Sequence, residues 1–332
     1  MRNLFLIALS LCISTFASLA FSQTCQMTAD DKYKVLAVPQ DQNGFDHNCD
    51  FTADKLQLNL YGIYLCENEP TPETYRENCS NVFFRSTPVV ADIVKNGVSA
   101  LGIGDVTMDE GEYNYAVVLV KPTVGVSFVN EYTHPLRGAT GVGTTCWTNG
   151  VDIAISYNSP LDFSVECGNA DDANPRVSNY TFSAIFDSNY LADPLGPFRR
   201  EVLGIPRGEP INVYLLSDFE QRASVVPGAN VFDQSQLQSN ASLMLGVQKF
   251  DSPVNISGST KNINFGFNIT DTFFQKITGN SRYTENGQQV CGGNTGDSNN
   301  PINLPLTAGV GGAYACLATT YPTKFRFELD AR

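Results

Sequence analysis

Imidazole is nearly missing from this 332-residue chain: His47 and His134 are its two histidines. A serine or cysteine nucleophile needs a neighbouring base, so histidine-driven catalysis has little to build on, and no G-x-S-x-G turn occurs. Tryptophan is reduced to Trp147. Basic charge is thin as well. The 21 Lys and Arg face 34 Asp and Glu, for a net charge of −13. That balance argues against nucleic acid and against an anionic membrane as partners. There is no C-x-x-C pair, no fixed-period repeat and no low-complexity block. Strong helix formers are sparse, and no amphipathic helix longer than ten residues is visible. Beyond the first 22 residues no apolar run is long enough to span a bilayer.

The start of the chain does carry an apolar run. Met1-Arg2-Asn3 is a short basic opening, Leu4 to Phe21 is apolar, and Ala20-Phe21-Ser22 has the small-x-small form of a cleavage site. Ser10, Ser14, Thr15 and Ser18 interrupt the run, which suits a secretory signal better than an anchor. The reading is a signal peptide over 1–22 and a mature start at Gln23.

Cysteine usage fits export. Of nine cysteines, Cys12 leaves with the signal, and Cys25, Cys49, Cys66, Cys79, Cys146, Cys167, Cys291 and Cys316 remain. An even number in an exported chain predicts disulfides, although eight cysteines allow about a hundred connectivities. Nearest-neighbour pairing is the expectation: 25 with 49, 66 with 79, 146 with 167, 291 with 316. Each such loop contributes about 3 kcal/mol in a chain-entropy estimate.

The body of the chain reads as strands. In Lys55–Cys66, KLQLNLYGIYLC, Leu56, Leu58 and Leu60 share one face, and Gly62 marks a bulge. Met108–Tyr132 reads as a hairpin: a turn at Asp109-Glu110-Gly111, a strand over Tyr113–Val120, a break at Lys121-Pro122 and a second strand over Val124–Val129. Ile263, Phe265, Phe267 and Ile269 alternate with polar residues, as do Phe325, Phe327 and Leu329 near the end. About a dozen such segments, with turn signals every 8–12 residues, predict an all-β fold. The expected architecture is an antiparallel, disulfide-stapled β-sandwich, as one large or two adjacent sandwich domains. The Gly- and Thr-rich stretch from Thr133 to Gly150 places a boundary near 135, giving an N-terminal sandwich over 23–135 and a β-rich C-terminal part over 136–332.

Few residues carry chemistry. Asp and Asn gather in three loops: Asp41, Asn43, Asp46 and Asp50; Asp171 and Asp172; Asp297, Asn299 and Asn300. Oxygen ligands of this kind suit a structural Ca²⁺, although the same residues also form turns. Asp105, Asp109, Glu110 and Glu112 could pair for glycoside hydrolysis, but read more simply as a solvated turn. Trp147, Tyr132, Tyr157 and Tyr190 could line a sugar-binding face. A Trp beside a Cys also fits core packing against a disulfide. Sequons stand at Asn78, Asn179, Asn240, Asn255 and Asn268.

Three segments together, LYGIYLCENEPTPE, GEYNYAVVLV, and TTCWTNG followed by SPVNISGST-KNINFGFNI, resemble uncharacterised secreted β-sandwich proteins of marine bacteria. The resemblance implies a Gram-negative exported or surface protein and carries no activity with it. The resulting expectation is a non-enzymatic structural or interaction protein of the cell surface or periplasm. It includes a subunit that assembles with itself or other surface proteins by lending a terminal strand, from Gln23–Asp31 or FRFEL. The alternative is a carbohydrate- or ligand-binding module, and a carboxylate hydrolase stands behind that.

Overall fold

The computed structural model describes residues 23–34, 45–95, 108–139, 141–155, 164–182, 198–199, 211–224, 240–260, 263–279, 283–285, 288–290, 316–322 and 326–331. Its strands, in chain order, are β1 (Gln23–Thr24), β2 (Phe45–Phe51), β3 (Lys55–Cys66), β4 (Ser80–Val94), β5 (Gly111–Ser127), β6 (Val129–Arg137) and β7 (Val142–Thr148). Then come β8 (Asp152–Ile155), β9 (Val165–Gly168), β10 (Ser178–Phe182), β11 (Phe198–Arg199), β12 (Ile211–Asp218), β13 (Gln221–Arg222) and β14 (Leu243–Ile256). The last are β15 (Ile263–Asn268), β16 (Phe273–Gly279), β17 (Tyr283–Glu285), β18 (Gln288–Val290), β19 (Cys316–Pro322) and β20 (Arg326–Ala331). Among the described residues an α-helical turn, α1 (Tyr75–Asn78), and a 3-10 turn, Ala170–Asp172, interrupt them.

The protein is a disulfide-stapled, largely antiparallel β-sandwich. A nine-stranded main sheet runs β11-β12-β14-β5-β10-β8, with β3 on the second edge of β5, β4 beyond β3, and β13 on β12. A seven-stranded second sheet runs β1-β2-β16-β19-β6-β7-β9. Leu56, Leu58, Leu60, Val118 and Val124 from the first meet Phe51, Tyr132, Leu136 and Phe273 from the second, with Phe128 from the corner between them, in one buried core. The main sheet draws its strands from both sides of residue 135, and the Thr133–Gly150 stretch holds the end of β6 and all of β7.

The chain switches sheets at corners. β2 hands over to β3 around Asp54, and β5 to β6 at Phe128. Asp54 Oδ2 accepts from the Val129 N–H at 2.8 Å, and the rings of Phe51 and Phe128 meet edge to face at 5.0 Å, so the two corners lock together. A third corner, between β7 and β8, turns at Gly150 with φ +84°, where a side chain would be strained. Its N–H donates to Ser178 Oγ at 3.0 Å.

Two sequence expectations need correction. Met108–Tyr132 is not a hairpin. β5 runs unbroken through Lys121-Pro122 for 17 residues, and Val129 onward belongs to the other sheet. The proline is tolerated because of where it falls. On one edge, pairing with β14 ends at Val120 and pairing with β10 begins at Thr123. On the other, Val120 faces Leu60 and Val124 faces Leu58, so a bulge takes up the residues between. No ladder calls on the missing N–H of Pro122. The second correction concerns Asp41–Asp50, expected as a loop. From Phe45 it is strand β2, paired to β16 along its length.

Three of the expected disulfides are present: Cys25–Cys49, Cys66–Cys79 and Cys146–Cys167. The first ties β1 to β2, the second closes the base of the β3–β4 connection, and the third joins direct cross-strand partners of β7 and β9. The pairing of Cys291 with Cys316 falls outside the described residues.

Candidate binding face of the main sheet

The outer face of the main sheet, away from the sandwich core, divides into two halves of opposite character. The division is written in β3 and β5. At one end both faces of these strands are buried; at the other, one face is buried and one is open.

The covered half is apolar. Tyr64 and Cys66 of β3, Val117 and Leu119 of β5, Leu243, Leu245 and Val247 of β14, and Tyr214 and Leu216 of β12 form a second buried cluster under Tyr75. Its cover is the loop 67–79, closed by Cys66–Cys79, resting against the β12–β13 hairpin. The two are clasped by crossed ion pairs. Arg76 of the loop meets Glu220 of the hairpin at 2.9 Å, and Arg222 of the hairpin meets Glu73 of the loop at 2.8 Å. Each guanidinium also lies over an aromatic ring, Arg76 5.0 Å from Phe84 and Arg222 5.0 Å from Tyr214. Beneath them the Tyr75 hydroxyl donates to Phe219 O at 2.7 Å. Burial pushes the Tyr64 and Tyr75 hydroxyls above their ordinary range. Burial also acts to raise the Glu73 carboxyl, but hydrogen bonds led by Arg222 outweigh it and hold it low.

The open half is polar. One row crosses five adjacent strands through direct Cα partners: Asp92 on β4, Gln57 on β3, Gly125 on β5, Asn179 on β10 and Asp152 on β8. Four interstrand steps make it about 19 Å long. Gln57 Nε2 donates to Asp92 Oδ1 at 2.8 Å, and Asn179 Nδ2 donates to Asp152 Oδ1 at 2.7 Å. The row therefore reads carboxylate, amide, glycine, amide, carboxylate from either end. Lys55 lies 2.9 Å from Asp92 Oδ2, and the hydroxyls of Thr123 and Thr181 pair at 2.9 Å in the neighbouring row. The bond from Gln57, then that from Lys55, holds the Asp92 carboxyl below its usual range. A side chain at position 125 would strike its neighbours: its Cβ would come 2.8 Å from Val177 Cγ1, 3.1 Å from Gln57 Cβ and 3.2 Å from Asn179 Oδ1. Glycine lets the two amides close over the strand.

The residues singled out from sequence fall elsewhere. Of the calcium candidates, Asp46 and Asp50 are in β2, Asp50 buried. Asp171 and Asp172 are exposed on a 3-10 turn, where Asp172 Oδ2 accepts from Asn169 at 3.1 Å. Asp41, Asn43, Asp297, Asn299 and Asn300 lie outside the described residues. Among the described residues no group of three or more His, Cys, Asp and Glu side chains is placed to hold a metal ion. Trp147 and Tyr132 do not form a sugar-stacking face, because both are buried. Trp147 lies against Gly168, next to the Cys146–Cys167 disulfide. The Tyr132 hydroxyl donates to Gln275 Oε1 at 3.0 Å and accepts from Asn130 at 3.3 Å inside the core. Tyr157 and Tyr190 lie outside the described residues. Asp109 and Glu110 are exposed at the start of β5, with Ser80 Oγ donating to Asp109 at 3.4 Å, as a solvated turn would have it. The expected lending strands are engaged at home, β1 with β2 and β20 with β15.

Reading the sequence missed the polar row. Its signal was the alternation K-Q-N in KLQLNL and T-G-S in TVGVS, each opposite a run of buried aliphatics. No family model, curated protein or solved structure matches the chain. Among the described residues no helix is long and apolar enough to cross a membrane.

Proposed function

We propose that the protein is an exported, non-enzymatic interaction protein of the periplasm or surface of a Gram-negative bacterium. It meets its partner through the open half of the main sheet's outer face. The observation that carries this reading is the uncovered polar row set on a scaffold closed by three disulfides. Polar side chains held in pairs on neighbouring strands lose little freedom when a partner binds. The signal-like start over 1–22, the acid excess and the cysteine pairing support export, as does the resemblance to secreted marine β-sandwich proteins. We place the contact on the sheet face rather than on a lent terminal strand, since β1 and β20 are paired within their own chain. A surface-assembly subunit is one version of this role.

The test has two arms. Expressed in a Gram-negative host, the full chain should be recovered outside the cytoplasm, beginning at Gln23, with a mass lower by two hydrogens for each disulfide. Unprocessed cytoplasmic material would overturn the export. In the source cell, Gln57→Arg with Asn179→Arg should release the chain from the envelope without changing its melting temperature. Unchanged retention would overturn the assignment of the face.

A further inference from the structure

We infer that the row Asp92–Gln57–Gly125–Asn179–Asp152 is a binding site for a neutral glycan chain lying across the strands. The inference rests on the reading of this face as the interaction face and names what it takes.

A hydroxyl both donates and accepts, so a polyol needs donors and acceptors interleaved on one surface. The row supplies them in that order. The Asp152 carboxylate keeps acceptor sites beyond the one that Asn179 fills, Asp92 is engaged by Gln57 and Lys55, and each amide turns one N–H to its carboxylate while keeping a second N–H and a carbonyl. The paired hydroxyls of Thr123 and Thr181 add both functions alongside. Gly125 is buried at the centre, where the absence of a side chain lets Gln57 and Asn179 approach each other over the strand.

Charge narrows the class. Two carboxylates stand against one ammonium, and Lys55 is engaged by Asp92 at 2.9 Å. An anionic polysaccharide would meet net repulsion from the row and from a chain of net charge −13. A shared divalent cation does not fit, because the carboxylates stand at opposite ends of a row about 19 Å long. Among the described residues around the row, exposed large apolar side chains stand only at its ends, where Val151, 41% exposed, precedes Asp152. Val90 and Val94, 55% and 43% exposed, lie only on the β4 margin, where they can touch the apolar faces of sugar rings at the site's end.

The test uses the mature chain with its disulfides intact, made in a host that does not modify Asn179. Native affinity electrophoresis through dextran, laminarin, galactomannan and xylan measures binding to neutral chains, with alginate as the anionic comparison. At least one neutral polysaccharide should retard the protein, and alginate should not. Gln57→Ala with Asn179→Ala should weaken that retardation tenfold or more, with an unchanged near-UV spectrum and melting temperature. Gly125→Val, which fills the centre, should do the same if it folds. Three results would each overturn the inference: no retardation by any neutral chain, retardation that survives the double substitution, or equal retardation by alginate. If the neutral chains fail while the arginine variants still release the protein from the envelope, the glycan is wrong and the interaction face stands. If both fail, both readings fall.

Discussion

Gln248 on β14 holds Phe327 on β20 by both ends of its amide. Nε2 donates to Phe327 O at 3.0 Å, and Oε1 accepts from the Phe327 N–H at 2.9 Å. The side chain does what a neighbouring strand would do, and both residues are buried. Through it the β15–β20 ribbon, with Phe265, Phe267 and Leu329 packed on the core, is fastened to the main sheet. Gln248→Leu would leave a buried donor and acceptor unmatched, at about 1–3 kcal/mol each. The urea midpoint should fall accordingly, and amide exchange over 326–331 should quicken more than elsewhere. Unchanged exchange there would show that the ribbon is held by its aromatics alone.

The crossed pairs Arg76–Glu220 and Arg222–Glu73 are about half exposed, so each contributes no more than about 1 kcal/mol. Their role is to fix the cover. Glu73→Arg should loosen the loop 67–79, read as faster proteolytic cleavage within it. Adding Arg222→Glu, which restores the pair in reverse, should slow cleavage again. A double variant as labile as the single would place the clasp in Tyr75 and Phe219 instead.

Alkaline pH should unfold the protein through its buried tyrosines. Burial first, then the charges of Asp54 and Asp271, push the Tyr33 hydroxyl up to about 12, and burial raises those of Tyr75 and Tyr132 as well. A group whose folded pKa is raised stabilises fully below its unfolded value, near 10, and that stability is lost as pH rises through the folded value. The melting temperature should therefore hold to about pH 9 and drop between about 10 and 12. Tyr33→Phe should flatten part of that drop, and an identical profile for wild type and variant would remove Tyr33 as a contributor.

At Asp50, Asp171 and Asp172 chelation should find no ion to remove. Asp50 is buried in a strand, and Asp171 and Asp172 are exposed on a turn. EDTA should then shift the melting temperature by less than about 1 °C, below the roughly 1.5 °C that a loss of about 1 kcal/mol produces in a chain of this size. A larger fall, reversed by Ca²⁺, would assign an ion to the chain.

Much of the fold was legible because strand patterns are local. KLQLNL alternates and is half-buried; YGIYLC does not alternate and is buried on both faces, with the register shift falling around Gly62 as the glycine predicted. The three disulfides followed from proximity in sequence. Pro122 misled because its cost depends on partners contributed by β10 and β14, far along the chain. Asp50 misled, since an acid in a turn-like composition is a buried strand residue, whereas Trp147 packs in the core beside the Cys146–Cys167 disulfide, as its neighbouring cysteine suggested. The polar row was invisible for the same reason as Pro122. Gln57, Asp92, Asn179 and Asp152 have no sequence relation until four ladders set them side by side.

β5 also fixes when the protein can form. One edge pairs with β3, made just before it, but the other waits for β10 and for β14, whose Met244 pairs with Val120. Loop closure over such distances slows folding. A chain still being synthesised therefore lacks the partners that complete its central sheet. Its central sheet closes only once residues 244–256 have been made and brought back to β5.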